Sequence, residues 1–196
     1  MGVALVSTNL TAGQSGIIET SALPGGALAV TAVGPARYLR LTDAKADTGV
    51  SLTATATGGA MGVARTAGTS LTLVGEATSS NAKTDKAMWE FDLPDTYTAG
   101  AAISVTVNAS ISGSGTLTAA SCTMALAAYS EVNGIETALT VTGGTQQIVA
   151  AGSNLTWTVA GTGLVAGSHV ALELTQLITT ASGANTGAIN SVGYQA

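Results

Sequence analysis

Apolar positions in the second half of the chain recur at every second residue, the spacing of strands with one buried face. The longest run sets Ile103, Val105, Val107, Ala109 and Ile111 against Ser104, Thr106, Asn108 and Ser110. Trp89, Phe91 and Leu93 share a face, with Met88, Glu90 and Asp92 opposite. Leu71 and Leu73 alternate with Thr72, and the same period carries Cys122, Met124 and Leu126, then Leu155, Trp157 and Val159, then Val170, Leu172 and Leu174. Residues that favour turns separate these runs: Gly113-Ser114-Gly115, Asn133-Gly134, Gly143-Gly144, Gly161-Thr162-Gly163 and Ser182-Gly183. The segment from Ala119 to Tyr129 is rich enough in alanine to form a helix by propensity. The two-residue period of Cys122, Met124 and Leu126 nevertheless predicts a strand. Strands at this spacing, without a helical pattern, predict an all-β fold, a sandwich of the jelly-roll or immunoglobulin type.

Before Gly68 the pattern is weaker. Pro24, Pro35, Gly25-Gly26 and Gly58-Gly59 interrupt both strand and helix periods. Apolar pieces are short, such as Leu28-Ala29-Val30. One strand is expected at Arg37-Tyr38-Leu39-Arg40-Leu41, with Tyr38 on one side and Leu39 and Leu41 on the other. The Ala/Thr/Gly tract from Ser51 to Ala67 reads as a loose ribbon or loop, or as a segment without order of its own. Residues 1–68 are therefore expected to form an extended N-terminal arm, and residues 69–196 the β-sandwich.

Composition narrows the function. Only 9% of residues are charged, against about 25% in an ordinary soluble domain. The polar surface must then come from Thr, Ser, Asn and Gly, and a net charge of −5 repels other copies only modestly. Such a surface suits a protein that is covered by neighbours. All six basic residues (Arg37, Arg40, Lys45, Arg65, Lys83 and Lys86) precede Ala87. Binding a nucleic-acid backbone requires clustered cations, so no nucleic-acid partner is expected. No stretch of ~18 apolar residues is present to span a bilayer, no signal h-region follows Met1, and no membrane partner is expected. The single cysteine, Cys122, rules out an intrachain disulfide and is compatible with assembly in the cytosol.

Reactive groups are scarce. His169 is the only histidine, and at the start of a strand it reads as a rim residue with a solvent or backbone partner rather than a general base. Cys122 falls on an apolar face and reads as a small buried hydrophobe; a Cys122–His169 pair would need both in one pocket. Asp43, Asp47 and Gly49 lack the acidic spacing of an EF-hand loop. Asp92 and Asp95 flank Pro94, where turn roles outweigh a shared cation. Gly161-Thr162-Gly163 lacks the strand-to-helix context of a dinucleotide fingerprint. Sequons at Asn9, Asn108 and Asn154 carry little weight in a chain so rich in Thr and Ser. Trp89 and Trp157 are in phase with aliphatic residues and belong to the core, while Tyr97 and Tyr194 are expected at the surface or in an interface. No catalytic, cofactor or metal-binding residue is assigned, and no enzyme activity is expected.

Three stretches carry a family resemblance. The run Trp89-Glu90-Phe91-Asp92-Leu93-Pro94-Asp95-Thr96-Tyr97-Thr98-Ala99-Gly100, followed by the alternating strand Ile103 to Ala109, resembles a signature of small virion proteins of tailed bacteriophages. Ala166-Gly167-Ser168-His169-Val170-Ala171-Leu172-Glu173-Leu174 stands where that group has a Pro-Gly-Asp turn and its following strand. The tail from Thr179 to Tyr194, with Gly187-Ala188-Ile189, is similar to the group's closing loop and last strand. The resemblance covers about residues 70 to 196 and replaces many of the group's charged positions with Ala, Thr and Gly. It implies a jelly roll, a homotrimer and contacts with the major capsid protein or other virion proteins. The expected function is a capsid decoration or cement protein, located in the virion after assembly in the host cytoplasm. The alternative is a tail- or fibre-associated module that binds receptor glycans.

Overall fold

Alternation of apolar and polar residues produces long strands whose inner faces close over one another. The computed structural model describes residues 34–66, 70–78, 81–114, 122–149, 152–179 and 183–196. In chain order the strands are β1 (Arg37–Leu39), β2 (Gly62–Thr66), β3 (Ser70–Val74), β4 (Lys83–Asp92), β5 (Gly100–Gly113), β6 (Cys122–Val132), β7 (Ile135–Ala138), β8 (Val141–Thr142), β9 (Gln146–Gln147), β10 (Ser153–Gly161), β11 (His169–Ile178) and β12 (Asn185–Gln195). A 3-10 turn spans Leu41–Asp43. The alanine-rich segment is strand β6 from Cys122 onward, as its period predicts; residues 119–121 lie outside the described part.

Two antiparallel sheets result. One runs β2-β3-β12-β5-β10-β8, with β1 also on β12; the other runs β4-β11-β6-β7, with β9 on β6. The pairing follows one rule. Taking β3, β4, β5, β6, β7, β10, β11 and β12 as eight consecutive strands, the first pairs with the last, the second with the seventh, the third with the sixth and the fourth with the fifth. The chain is thus a long hairpin, with its tip at Asn133-Gly134, wound round a common core. That wrapping is the jelly roll, and it decides between the two sandwich types.

The interior follows the sequence pattern closely. Ile103, Val105, Val107, Ala109 and Ile111 are buried, as are Leu155, Trp157 and Val159 opposite them in register. Val170, Leu172 and Leu174 face them from β11, beside Trp89 on β4 and Met124 and Leu126 on β6.

The boundary of the body differs from the expectation. The compact unit runs from Ala36 to Ala196, so residues 36–66 belong to the sandwich and not to an arm ending at residue 68. Strand β1 pairs with β12, from Arg37 opposite Tyr194 to Leu39 opposite Val192. Leu41, Ala44 and Met61 join the core. Lys45 and Met88 exchange backbone bonds of 2.8 Å, and Met61 N–H donates to Lys86 O at 3.0 Å. This segment closes the outer edge of β4, a role carried by backbone groups that leaves little hydrophobic pattern behind. The expected strand at 37–41 stops at Leu39, and Leu41 turns inward on the 3-10 turn. Residues 1–33, including Leu28-Ala29-Val30, lie outside the described part.

Candidate functional site

Most sheet edges in the described part are closed. Unpaired strand edges invite uncontrolled pairing with other chains, and proteins commonly cover them. Val63 N–H on β2 donates to Thr53 O at 2.7 Å, and Ala160 N–H on β10 donates to Thr140 O at 2.8 Å. At Thr156 a side chain takes the place of a strand: the Gln146 amide donates to Thr156 O at 2.7 Å and accepts from Thr156 N–H at 3.3 Å. Strand β7 is different. It ends the five-stranded sheet, and all four of its residues are exposed.

The β6–β7 hairpin turns through Asn133 and Gly134, whose φ angles of 55° and 75° explain this pair at a tight hairpin turn. Val132 and Ile135 lie opposite each other across it. They are 67% and 68% exposed, an unusual placement for two large aliphatic side chains in contact range. Val165, 54% exposed, lies on the loop that leads into β11. Between hairpin and loop is an open cleft of about 610 Å³ lined by Val132, Asn133, Leu164, Val165, Ala166 and His169, among others.

At the edge of this cleft the register of β4, β11 and β6 places Asp92, His169 and Glu131 in one row. His169 Nδ1 lies 2.7 Å from Asp92 Oδ1, and Nε2 lies 3.9 Å from Glu131 Oε2. The histidine thus sits between two carboxylates, Asp92 at hydrogen-bond distance and Glu131 at ion-pair range, rather than on the solvent or backbone partner expected of it. Cys122 is at the far end of the same sheet, opposite Ile178, whereas His169 is opposite Glu131. Nine residues of strand separate the two positions, roughly 30 Å at the usual rise, so they do not form a pair. Burial pushes the Cys122 thiol up to about 12.

The remaining sequence candidates take structural places. Lys86 Nζ lies 3.7 Å from Asp47 and 3.1 Å from Glu173, while Gly49, with φ of 77°, closes the turn after Asp47. Pro94 O accepts from Tyr97 N–H at 2.8 Å, which fixes the turn containing Asp95. No group of three or more His, Cys, Asp or Glu side chains among the described residues is arranged to hold a metal. Trp89 and Trp157 are in the core as expected, each with its indole N–H on a backbone carbonyl, Arg40 O at 3.0 Å and Gly144 O at 2.7 Å.

The tyrosines differ from expectation. Tyr97 and Tyr194 are buried rather than superficial. The Tyr97 hydroxyl donates to Ala101 O within its own turn, and Tyr194 stacks on Phe91 with ring centroids 4.3 Å apart.

The second surface of interest is uncharged. Strands β5, β10 and β12 contain no Lys, Arg, Asp or Glu. Across them Asn108 donates to Asn154 at 2.7 Å, and Asn190 donates to Asn108 at 2.9 Å. The ion pairs collect elsewhere: Lys45 with Glu90 at 2.7 Å, Lys83 with Glu76 at 2.7 Å, and Lys86 with its two acids. Solvent screens such partly exposed pairs, and they add little to stability.

The chain matches no protein-family model, and no curated protein is significantly similar to it. No helix among the described residues is long and apolar enough to cross a membrane.

Proposed function

We propose that this protein is a structural subunit of a tailed-phage particle, a capsid decoration or cement protein that acts as a homotrimer by contact with the major capsid protein. The observation that carries the reading is the hairpin end, where Val132 and Ile135 stand side by side in solvent beside Val165. A body that closes most of its edges but leaves these aliphatic side chains in solvent is suited to association by a defined contact. Burial of such side chains yields about 25 cal/mol per Å² removed from water. The charge-free strands β5, β10 and β12 support the same reading, because a hydroxyl and amide surface can be covered without stranding buried ions. The resemblance of residues 70–196 to small phage virion proteins supports the virion as the place of action.

Light scattering coupled to size exclusion tests the oligomer: a trimeric mass is expected, and a monomeric mass at micromolar concentration refutes it. Co-sedimentation with particles lacking the native copy tests the partner. Wild-type protein is expected to pellet with the particles, and Val132→Ser/Ile135→Ser to stay in the supernatant while melting like wild type. Equal pelleting of both would show that the hairpin end makes no contact.

A further inference from the structure

At the end of the sandwich opposite the hairpin, the core contains a carboxyl group where an aliphatic residue would be expected. Asp85 is in phase with Ala87 and Trp89 on β4 and is 1% exposed; Gln176, in phase with Leu172 and Leu174 on β11, is fully buried. The two are direct partners in the β4–β11 register. Their polar heads meet a notch made by two glycines of the other sheet, Gly75 and Gly187, which are joined by a backbone bond of 2.9 Å. A Cβ on Gly75 would lie 2.5 Å from Gln176 Oε1 and 2.9 Å from Asp85 Oδ2, and one on Gly187 would lie 2.5 Å from Gln176 Nε2. The notch is shaped to receive these heads.

Its hydrogen bonding is incomplete in a telling way. Asp85 Oδ2 accepts from Glu76 N–H at 2.8 Å. Asp85 Oδ1 has no partner, and neither does the oxygen or the nitrogen of the Gln176 amide. An unpaired ionised carboxylate in such a place is strongly disfavoured, and the usual resolution is neutralisation. A hard cation would require six or more oxygen ligands, which the notch does not offer.

We propose that Asp85 is a proton-binding site, a neutral carboxylic acid in the folded protein whose O–H donates to the Gln176 amide oxygen and joins β4 to β11 at the glycine notch. One proton satisfies both orphaned oxygens. The charged groups facing Asp85 are Glu76, on the β3–β4 connection, and Lys83, on β4 itself; Gln176, Gly75 and Gly187 bring none. Lys83 is engaged by Glu76 at 2.7 Å. Desolvation, the largest influence, raises the Asp85 pKa above 3.8; the Glu76 N–H bond, next in size, lowers it, the Glu76 charge raises it and Lys83 lowers it. A folded-state pKa above the unfolded value means that the folded protein holds the proton more tightly. Stability from this site is complete below pH 3.8 and is lost as pH rises through the folded value. The notch is therefore a latch that loosens with rising pH.

Asp85→Asn is the isostere of the protonated acid: its oxygen accepts from Glu76 N–H and its amide donates to Gln176. Thermal melts of full-length wild type and Asp85→Asn across an acid-to-neutral pH series test the proposal. The two proteins are expected to melt together at the acid end, with the variant gaining a progressively higher melting temperature towards neutral pH. A difference that does not change with pH, or a variant less stable throughout, overturns the proposal. If the variant fails to fold, the aspartate carboxyl carbons of wild type, labelled with ¹³C, give a second reading. A buried carboxyl that titrates above the ordinary range supports the proton site, and titration of every aspartate at or below that range refutes it.

Discussion

Replacing Trp157 with alanine removes the largest side chain of β10 from a site where it is 1% exposed. The ring packs in the row of Leu155 and Val159, opposite Val105, and its N–H donates to Gly144 O at 2.7 Å. Truncating a core tryptophan costs about 3–5 kcal/mol through lost transfer energy and the cavity left behind. The Gly144 carbonyl loses its donor, which adds about 1 kcal/mol, so the upper part of that range is expected. Trp157→Phe separates the two contributions: it keeps most of the apolar volume and loses the hydrogen bond, for about 1–2 kcal/mol. Gly143→Ala probes the same contact from the other side. Its φ is +119° and the new Cβ would lie 2.8 Å from Trp157 Cδ1, so it should destabilise by more than about 1 kcal/mol. Urea unfolding followed by tryptophan fluorescence and circular dichroism measures all three, with the alanine variant having the lowest midpoint. Superimposable curves for wild type and Trp157→Ala would refute the placement of this ring in the core.

Deleting residues 1–35 should leave a body that melts like wild type but binds particles far more weakly, if short apolar pieces of the removed segment such as Leu28-Ala29-Val30 add as strands to neighbouring sheets. Extending the deletion through residue 68 should abolish cooperative unfolding, since it removes β1, β2 and the buried Leu41 and Met61, each worth roughly 2–5 kcal/mol; circular dichroism melts and co-sedimentation distinguish the two deletions. Cys122, buried and with its thiol pushed up to about 12, should resist a thiol-reactive chromophore in the native protein and react at once in denaturant. Rapid reaction without denaturant would show that the end of the sheet holding Cys122 is open.

The sandwich was legible because its core residues alternate without interruption from Ile103 to Ile111 and from Val170 to Leu174. The share of residues 36–66 in that sandwich was not. They attach through main-chain bonds at Lys45, Gly59 and Met61 and through isolated anchors at Leu41 and Ala44, none of which leaves a period in an Ala/Thr/Gly tract. Tyr97 and Tyr194 were expected at the surface or in an interface; the turn that brings the Ala101 carbonyl to the Tyr97 hydroxyl leaves no mark in the alternation. The row of Asp92, His169 and Glu131 depends on strand register, which brings together residues far apart in sequence. A signal for the buried polar pair is present in the alternation itself: Asp85 shares its parity with Ala87 and Trp89, and Gln176 with Leu172 and Leu174. Polar residues in phase with core positions mark buried polar chemistry, because the pleat points them inward with their aliphatic neighbours. The exposed Val132 and Ile135 flank Asn133-Gly134, so the turn was visible, but its projection beyond the core was not.

Strand β12 is the last of the described strands in sequence order yet lies inside the seven-stranded sheet, with β5 on one side and β3 and β1 on the other. Its pairings reach back across most of the sequence, from Tyr194 to Arg37 and from Ala188 to Val74. Contacts this distant must be closed against chain entropy before they stabilise anything, which puts folding in the slow, millisecond-to-second class of β-proteins. During synthesis the edges of β5 and β3 that pair with β12 stay open until residues 185–195 are available. A partly made chain therefore cannot complete the sandwich, and competence to assemble is acquired late and all at once.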